Sequence, residues 1–152
     1  MSEAVASPPT RVDTDVARDA FDTAIETHAQ QPENFFLARL LGFDFSYPSG
    51  RCLVGFEVRD FMFNPRGTLH GGVLSLALDV SMGHLMLHEG VGGATLELKT
   101  QFVRAATTGR LRCEASILRR TRHVWFMESR CVDPAGELVA VASSTWAVRS
   151  AP

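Results

Sequence analysis

Asp79 stands in the middle of an otherwise apolar run, Gly71 to Leu87, that opens on a glycine pair, Gly71-Gly72. A helix apolar on most faces is buried on most faces, and a carboxylate inside it costs several kcal/mol unless something offsets that cost. Acyl transfer could use both features. Gly71 and Gly72 would leave backbone N–H groups uncovered at a helix start, where the dipole adds about half a positive charge, so a developing oxyanion is expected at Gly71. Asp79 would deliver water as general base or attack the carbonyl directly. The two lie eight residues apart, about 12 Å along one axis at ~1.5 Å per residue, too far to share one carbonyl. Antiparallel packing of two copies about a twofold axis would set Asp79 of one beside Gly71 of the other, which predicts shared sites at a homodimer interface.

The elements that must position these residues can be read from periodicity. Asp13 or Thr14 caps an amphipathic helix reaching about Gln30, with Val16, Ala20, Phe21, Ala24 and Ile25 on one face. A short helix over Phe35 to Leu41 ends at Gly42, a suitable residue just past a helix end. Strands Phe43 to Tyr47 and Cys52 to Val58 are joined by Pro48-Ser49-Gly50, a hairpin turn. A loop from Arg59 to Thr68 leads into the helix at His70. The period then changes from 3.6 to 2. Leu96, Leu98, Thr100 and Phe102 alternate with Thr95, Glu97, Lys99 and Gln101, and Leu111, Cys113, Ala115 and Ile117 alternate with polar neighbours. Strands over His123 to Val132 and Leu138 to Val148 flank the turn Asp133-Pro134-Ala135-Gly136. The expected fold is α+β: two strands, a buried helix, then four strands in an antiparallel meander, with the sheet wrapped around the helix.

Composition narrows the function classes. The 152 residues suit one domain, expected over 13–150 behind a disordered tail over 1–12. A net charge of −2 with mixed signs gives no reason to expect nucleic acid as a partner. The scattered cysteines, Cys52, Cys113 and Cys131, fit small core residues in a reducing cytosol and make neither a disulfide framework nor a zinc site. Met1 to Thr10 lacks the apolar core of a signal peptide, and Asp79, Gly83 and His84 interrupt the helix as a membrane span. A cytoplasmic protein is expected.

Each candidate also has an ordinary reading. Asp79 could be a structural carboxylate paired with His84, His88 or an arginine. Asn64 alone is a turn or cap residue. His70 at the helix start favours a loop-fixing hydrogen bond over a general-base role, since the positive helix end disfavours a cationic ring. Gly71-Gly72 could serve close packing. His84 and His88 have two-histidine metal spacing but no evident third ligand, so no metal is expected. Neither a phosphate-binding glycine loop nor a nucleophile-elbow serine is present; Ser75 and Ser81 lie inside the helix.

The segment Asn64-Pro-Arg-Gly-Thr-Leu-His70-Gly71-Gly72, followed nine residues after His70 by Asp79, resembles the signature of hotdog-fold acyl-CoA thioesterases of the phenylacetate-degradation type. Ala94 to Ala106, Arg119 to Phe126 and Gly136 to Thr145 are similar to the same branch, so the resemblance covers about residues 40–148. It departs at Arg104-Ala105-Ala106, where relatives often carry a proline. The resemblance implies a hotdog fold, a homodimer as catalytic unit within a homotetramer, and no cofactor. By position it implies that Asn64 helps hold the carbonyl or the water, that the Gly71 N–H binds the oxyanion, that Asp79 is base or nucleophile, and that Thr95 orients the water. In a CoA enzyme Arg104, Arg120 and Arg122 could bind the nucleotide phosphates rather than form a solvated strand end. Gly72, Phe63 and the loop Phe61-Met62-Phe63, with the second helix, are expected to line the substrate tunnel. The expected activity is hydrolysis of an acyl-CoA to free acid and CoA, with no metal. A non-catalytic acyl-CoA or acyl-ligand binding protein is the alternative, and an enoyl-CoA hydratase a third.

Overall fold

The computed structural model describes residues 11–149, so all but the last two residues of the expected tail lie outside the described residues. Helix α1, Thr14–Thr27, begins where Asp13 accepts hydrogen bonds from the Asp15 and Val16 amides, as a cap should. Of its predicted apolar face only Ala24 is buried, while Phe21 and Ile25 stay half exposed. The reason is that α1 rests mainly on α2, Phe36–Leu40, a helix too short to cover that face. Gly42 follows α2 with φ +65°, the left-handed conformation that favours glycine at a helix end.

The strands are β1 (Asp44–Ser46), β2 (Cys52–Glu57), β3 (Gly92–Phe102), β4 (Arg110–Arg120), β5 (Val124–Val132) and β6 (Leu138–Arg149). They form one antiparallel sheet in the order β1-β2-β4-β5-β6-β3. The meander expected over four strands is therefore three, β4-β5-β6. β3 pairs with β6 at the far edge rather than with its successor β4. Residues 103–109 recross the end of the sheet, held by hydrogen bonds from Val103 and Arg104 to the Val139 carbonyl and from Leu69 to that of Ala106. Antiparallel strands need not be neighbours in sequence, and here β6 arrives to occupy the flank that β4 leaves free.

Helix α3, Gly71–His88, lies across the inner face of the sheet. Leu74, Ala77, Leu78, Met82, Leu85 and Met86 are buried against Val54, Phe56, Leu111, Cys113, Ala115 and Met127 from the strands. Buried residues fall on nearly every side of α3, as its composition requires. Its buried hydroxyl is satisfied: Ser81 Oγ bonds to the Leu78 carbonyl and to Ser129 Oγ, each at 2.7 Å. The architecture is the α+β arrangement expected, a sheet curved over one long helix.

Candidate active site

His70 is the N-cap of α3, and its Nδ1 accepts the Gly72 N–H at 2.8 Å. The ring thus does the loop-fixing work, with its hydrogen on Nε2 and no base free at Nδ1. Gly72, expected to face substrate, has its amide taken by that cap. The Gly71 N–H has no acceptor among the described residues. A Cβ at Gly71 would come within 2.9 Å of Phe102 Cζ, so glycine is what allows that ring to pack so close to the helix start.

Asn64 is used by its own loop. Its side-chain carbonyl accepts from the Arg66 amide at 2.8 Å and its Nδ2 donates to Thr68 Oγ1 at 2.8 Å, leaving one Nδ2 hydrogen unspent. Phe63 bridges to Leu69 across the same loop. Phe61 and Met62, with Arg39 to Leu41 of the second helix, line a cavity of about 450 Å³ beneath α1 that does not include Asp79. The cavity that does, about 260 Å³, is walled by Pro32, Phe35, Val80, Gly83, His84, Leu87, Gly93 and Trp146. Within one protomer the Phe61 loop and the end of the expected second helix border one cavity and Asp79 another, with Phe35 of that helix on the second.

Asp79 is half-buried and makes one side-chain hydrogen bond among the described residues, from Thr95 Oγ1 to Oδ1 at 2.9 Å. Neither His84, His88 nor an arginine pairs with it. Burial pushes the Asp79 carboxyl above the usual carboxylate range, and the Thr95 hydroxyl offsets part of that rise. A base is more effective as its pKa nears the working pH, so the shift is in the direction that would suit one.

Strict alternation sets Thr95 with Glu97 and Lys99 on the outer face and Leu96 inside. The structure keeps Glu97 and Lys99 outside and reverses the expectation for Thr95 and Leu96. Thr95 pairs with buried Trp146 and Leu98 with buried Ser144, with a register shift between Thr95 and Glu97. The extra residue moves Thr95 to the helix side and leaves Leu96 61% exposed. Thr95→Val should therefore raise the acid limb of the kcat/KM profile, because it removes the one hydrogen bond that favours ionised Asp79. A pH–rate profile that moves down or stays in place would contradict that assignment.

Arg104 and Arg120 lie toward opposite ends of the molecule. Arg104 pairs with Asp133 at 2.6 Å, beyond the end of β3 that reaches Gly71. Arg120 pairs with Glu89, the C-cap residue of α3, at 2.5 Å and sits over the Trp125 ring at 4.9 Å. Arg122 is in the exposed β4–β5 turn. One protomer does not gather all three on one phosphate group. The residues that sequence reasoning missed are Trp146 and Phe102. Trp146 was within reach, since it continues the every-second-residue series Ala140, Ala142, Ser144 that faces α3.

Comparison with known proteins bears on the fold. The thioesterase superfamily model matches residues 66–140, the stretch holding α3 and Thr95. A candidate esterase of Saccharolobus solfataricus is 29% identical over 99 residues, 64% of this chain and 71% of that protein. A conserved protein of Pseudomonas aeruginosa superposes with a TM-score of 0.72 at 28% identity, covering 80% of this chain and 99% of its own. A Bacillus halodurans protein solved with CoA shares the fold at a TM-score of 0.79 and 24% identity, covering 96% of this chain and 99% of its own. The six antiparallel strands curved over α3 give this chain a hotdog fold, and residues 66–140, across that helix and the strands following it, are similar to the thioesterase superfamily.

Proposed function

We propose that this protein hydrolyses acyl-CoA thioesters to free acid and CoA at two sites shared across a homodimer. The observation that carries the reading is Asp79: the one acidic residue of α3, facing a cavity, held by a single hydroxyl and kept above the usual carboxylate range. A carboxylate kept so at a cost to folding calls for a use. The Bacillus halodurans relative's CoA supports CoA as the carrier of the acyl group.

The carbonyl oxygen binds the Gly71 N–H of one protomer. Asp79 of the other takes a proton from water as the water oxygen attacks the carbonyl carbon. Collapse of the tetrahedral intermediate breaks the C–S bond, and the proton passes from Asp79 to the departing thiolate. In the nucleophilic variant Asp79 itself attacks, and water then cleaves the anhydride. Thr95 orients the carboxylate, and the spare Nδ2 hydrogen of Asn64 is its one remaining means of reaching substrate. The dimer reading draws on the β3 edge, which is long and carries exposed Leu96 and Phe102. An edge of that kind invites a second copy. Pairing the dimers into a homotetramer extends the same proposal.

The test is thiol release followed with a dithiobenzoate reagent across short, medium, long and aryl acyl-CoAs. Release above background supports the enzyme and defines its acyl preference. Tight acyl-CoA binding without release would replace it with a binding protein.

A further inference from the structure

The cavity that holds Asp79 runs along one face of α3, where Asp79, Gly83 and Leu87, each four residues from the next, all line it. Its walls Phe35, Val80 and Trp146 are apolar, so of the two halves of an acyl thioester it suits the acyl group. Toward its Leu87 end, Pro32, His84 and Leu87 line both this cavity and a second one of about 330 Å³, which makes these three side chains the partition between them. The partition is pinned from several sides. The Tyr47 hydroxyl donates to Glu33 Oε1 at 2.7 Å and lies 3.1 Å from His84 Nδ1, and the His84 ring bonds to the Pro32 backbone carbonyl. Phe45 stacks on the His84 ring at 4.1 Å. Turning that buried ring out of the partition would break its contacts with Tyr47, Pro32 and Phe45 together, with little water at hand to replace them.

An apolar cavity of about 150 Å³ holds a benzene ring, and so about six carbons. In the same proportion the cavity of about 260 Å³ at Asp79 holds roughly ten. We propose that the partition of Pro32, His84 and Leu87 sets the length of the acyl group, making the substrates short- and medium-chain thioesters of up to about ten carbons. This rests on the thioesterase reading above. Each methylene that enters the cavity leaves water, which raises kcat/KM by about fourfold. A methylene that meets the pinned partition stays in water and adds nothing.

The test is kcat/KM for straight-chain acyl-CoAs from butanoyl to hexadecanoyl, kept below their micellar concentrations, with the wild type, Leu87→Ala and Leu87→Phe. Leu87 is half-buried, so neither change falls in the sealed core. The wild type should gain about fourfold per methylene up to about eight to ten carbons and then level off. Leu87→Ala takes about three carbons out of the partition and should move that break about two carbons longer, whereas Leu87→Phe adds about as many and should move it about two carbons shorter. A leucine with a merely structural role would lower every substrate in proportion and leave the break in place. A wild-type gain that continues to hexadecanoyl-CoA, no gain with length at all, or a break that both variants leave unmoved overturns the proposal. Binding of non-hydrolysable alkyl-CoA thioethers of the same lengths is read in parallel by calorimetry. The same break in binding without CoA release from any thioester would sink hydrolysis and keep the length limit. Release at every length with no break in either assay would sink the limit and keep hydrolysis.

Discussion

Asp79→Asn is expected to lower kcat by about 10³-fold with KM within a few-fold, since the amide keeps the size of the side chain but neither accepts the proton from water nor attacks a carbonyl. The same substitution should raise thermal stability at neutral pH. The sign follows from the direction of the shift. Asp79 is held above the usual carboxylate range, so the folded state binds its proton more tightly than the unfolded state does. Stability is therefore greatest below the unfolded value and declines as pH rises through the folded value, where the half-buried charge is uncompensated. Asparagine removes that loss. Lost activity with a raised melting temperature would mark Asp79 as a group kept for chemistry at a cost to folding. Lost activity with a lowered melting temperature would mark it as a structural residue.

Gly71→Pro is expected to lower kcat by about 10² to 10³, the usual effect of deleting one oxyanion donor. Proline is well tolerated at the first helical position and lacks the N–H in question. His70, the residue before it, is extended at φ −65° and ψ 132°, which suits a residue preceding proline. The steric cost falls on Phe102, a half-exposed ring able to swing aside. Co-expression of Gly71→Pro with Asp79→Asn tests whether the sites are shared. In a mixed dimer one site would carry both defects and the other neither, so a random mixture should regain about one quarter of wild-type activity. Sites complete within one chain would regain nothing, and the dimer reading would be lost.

Much of this arrangement was legible in the residues. The cap at Asp13, the glycine end at Gly42, the hairpin around Gly50 and the start of α3 after His70 all depend on local backbone preference, and all fall where the local signals point. Asp79 and Gly71 stood out because a charge in an apolar run and a bare amide at a helix start are costly or unusual wherever they occur. Thr95 reached the candidate list through resemblance alone, because alternation put it on the wrong face. A bulge adds one residue to one strand opposite its partner, and only the pairing with β6 places it. Periodicity likewise does not say which of several apolar surfaces will meet: the apolar Phe61 loop lines a cavity under α1, which only the tertiary structure shows.

The sequence by itself determined that a long apolar helix would lie under an antiparallel sheet with a carboxylate halfway along it and a free amide at its start. These follow from burial cost, backbone preference and the chain's own spacing. The tertiary structure alone decided that β3 lies beside β6, that Thr95 turns inward to Asp79, and that Tyr47 and Glu33 meet His84 along the same helix face. Those contacts join residues 14 to 57 positions apart, and their geometry is set by strand order and register, which no local pattern encodes.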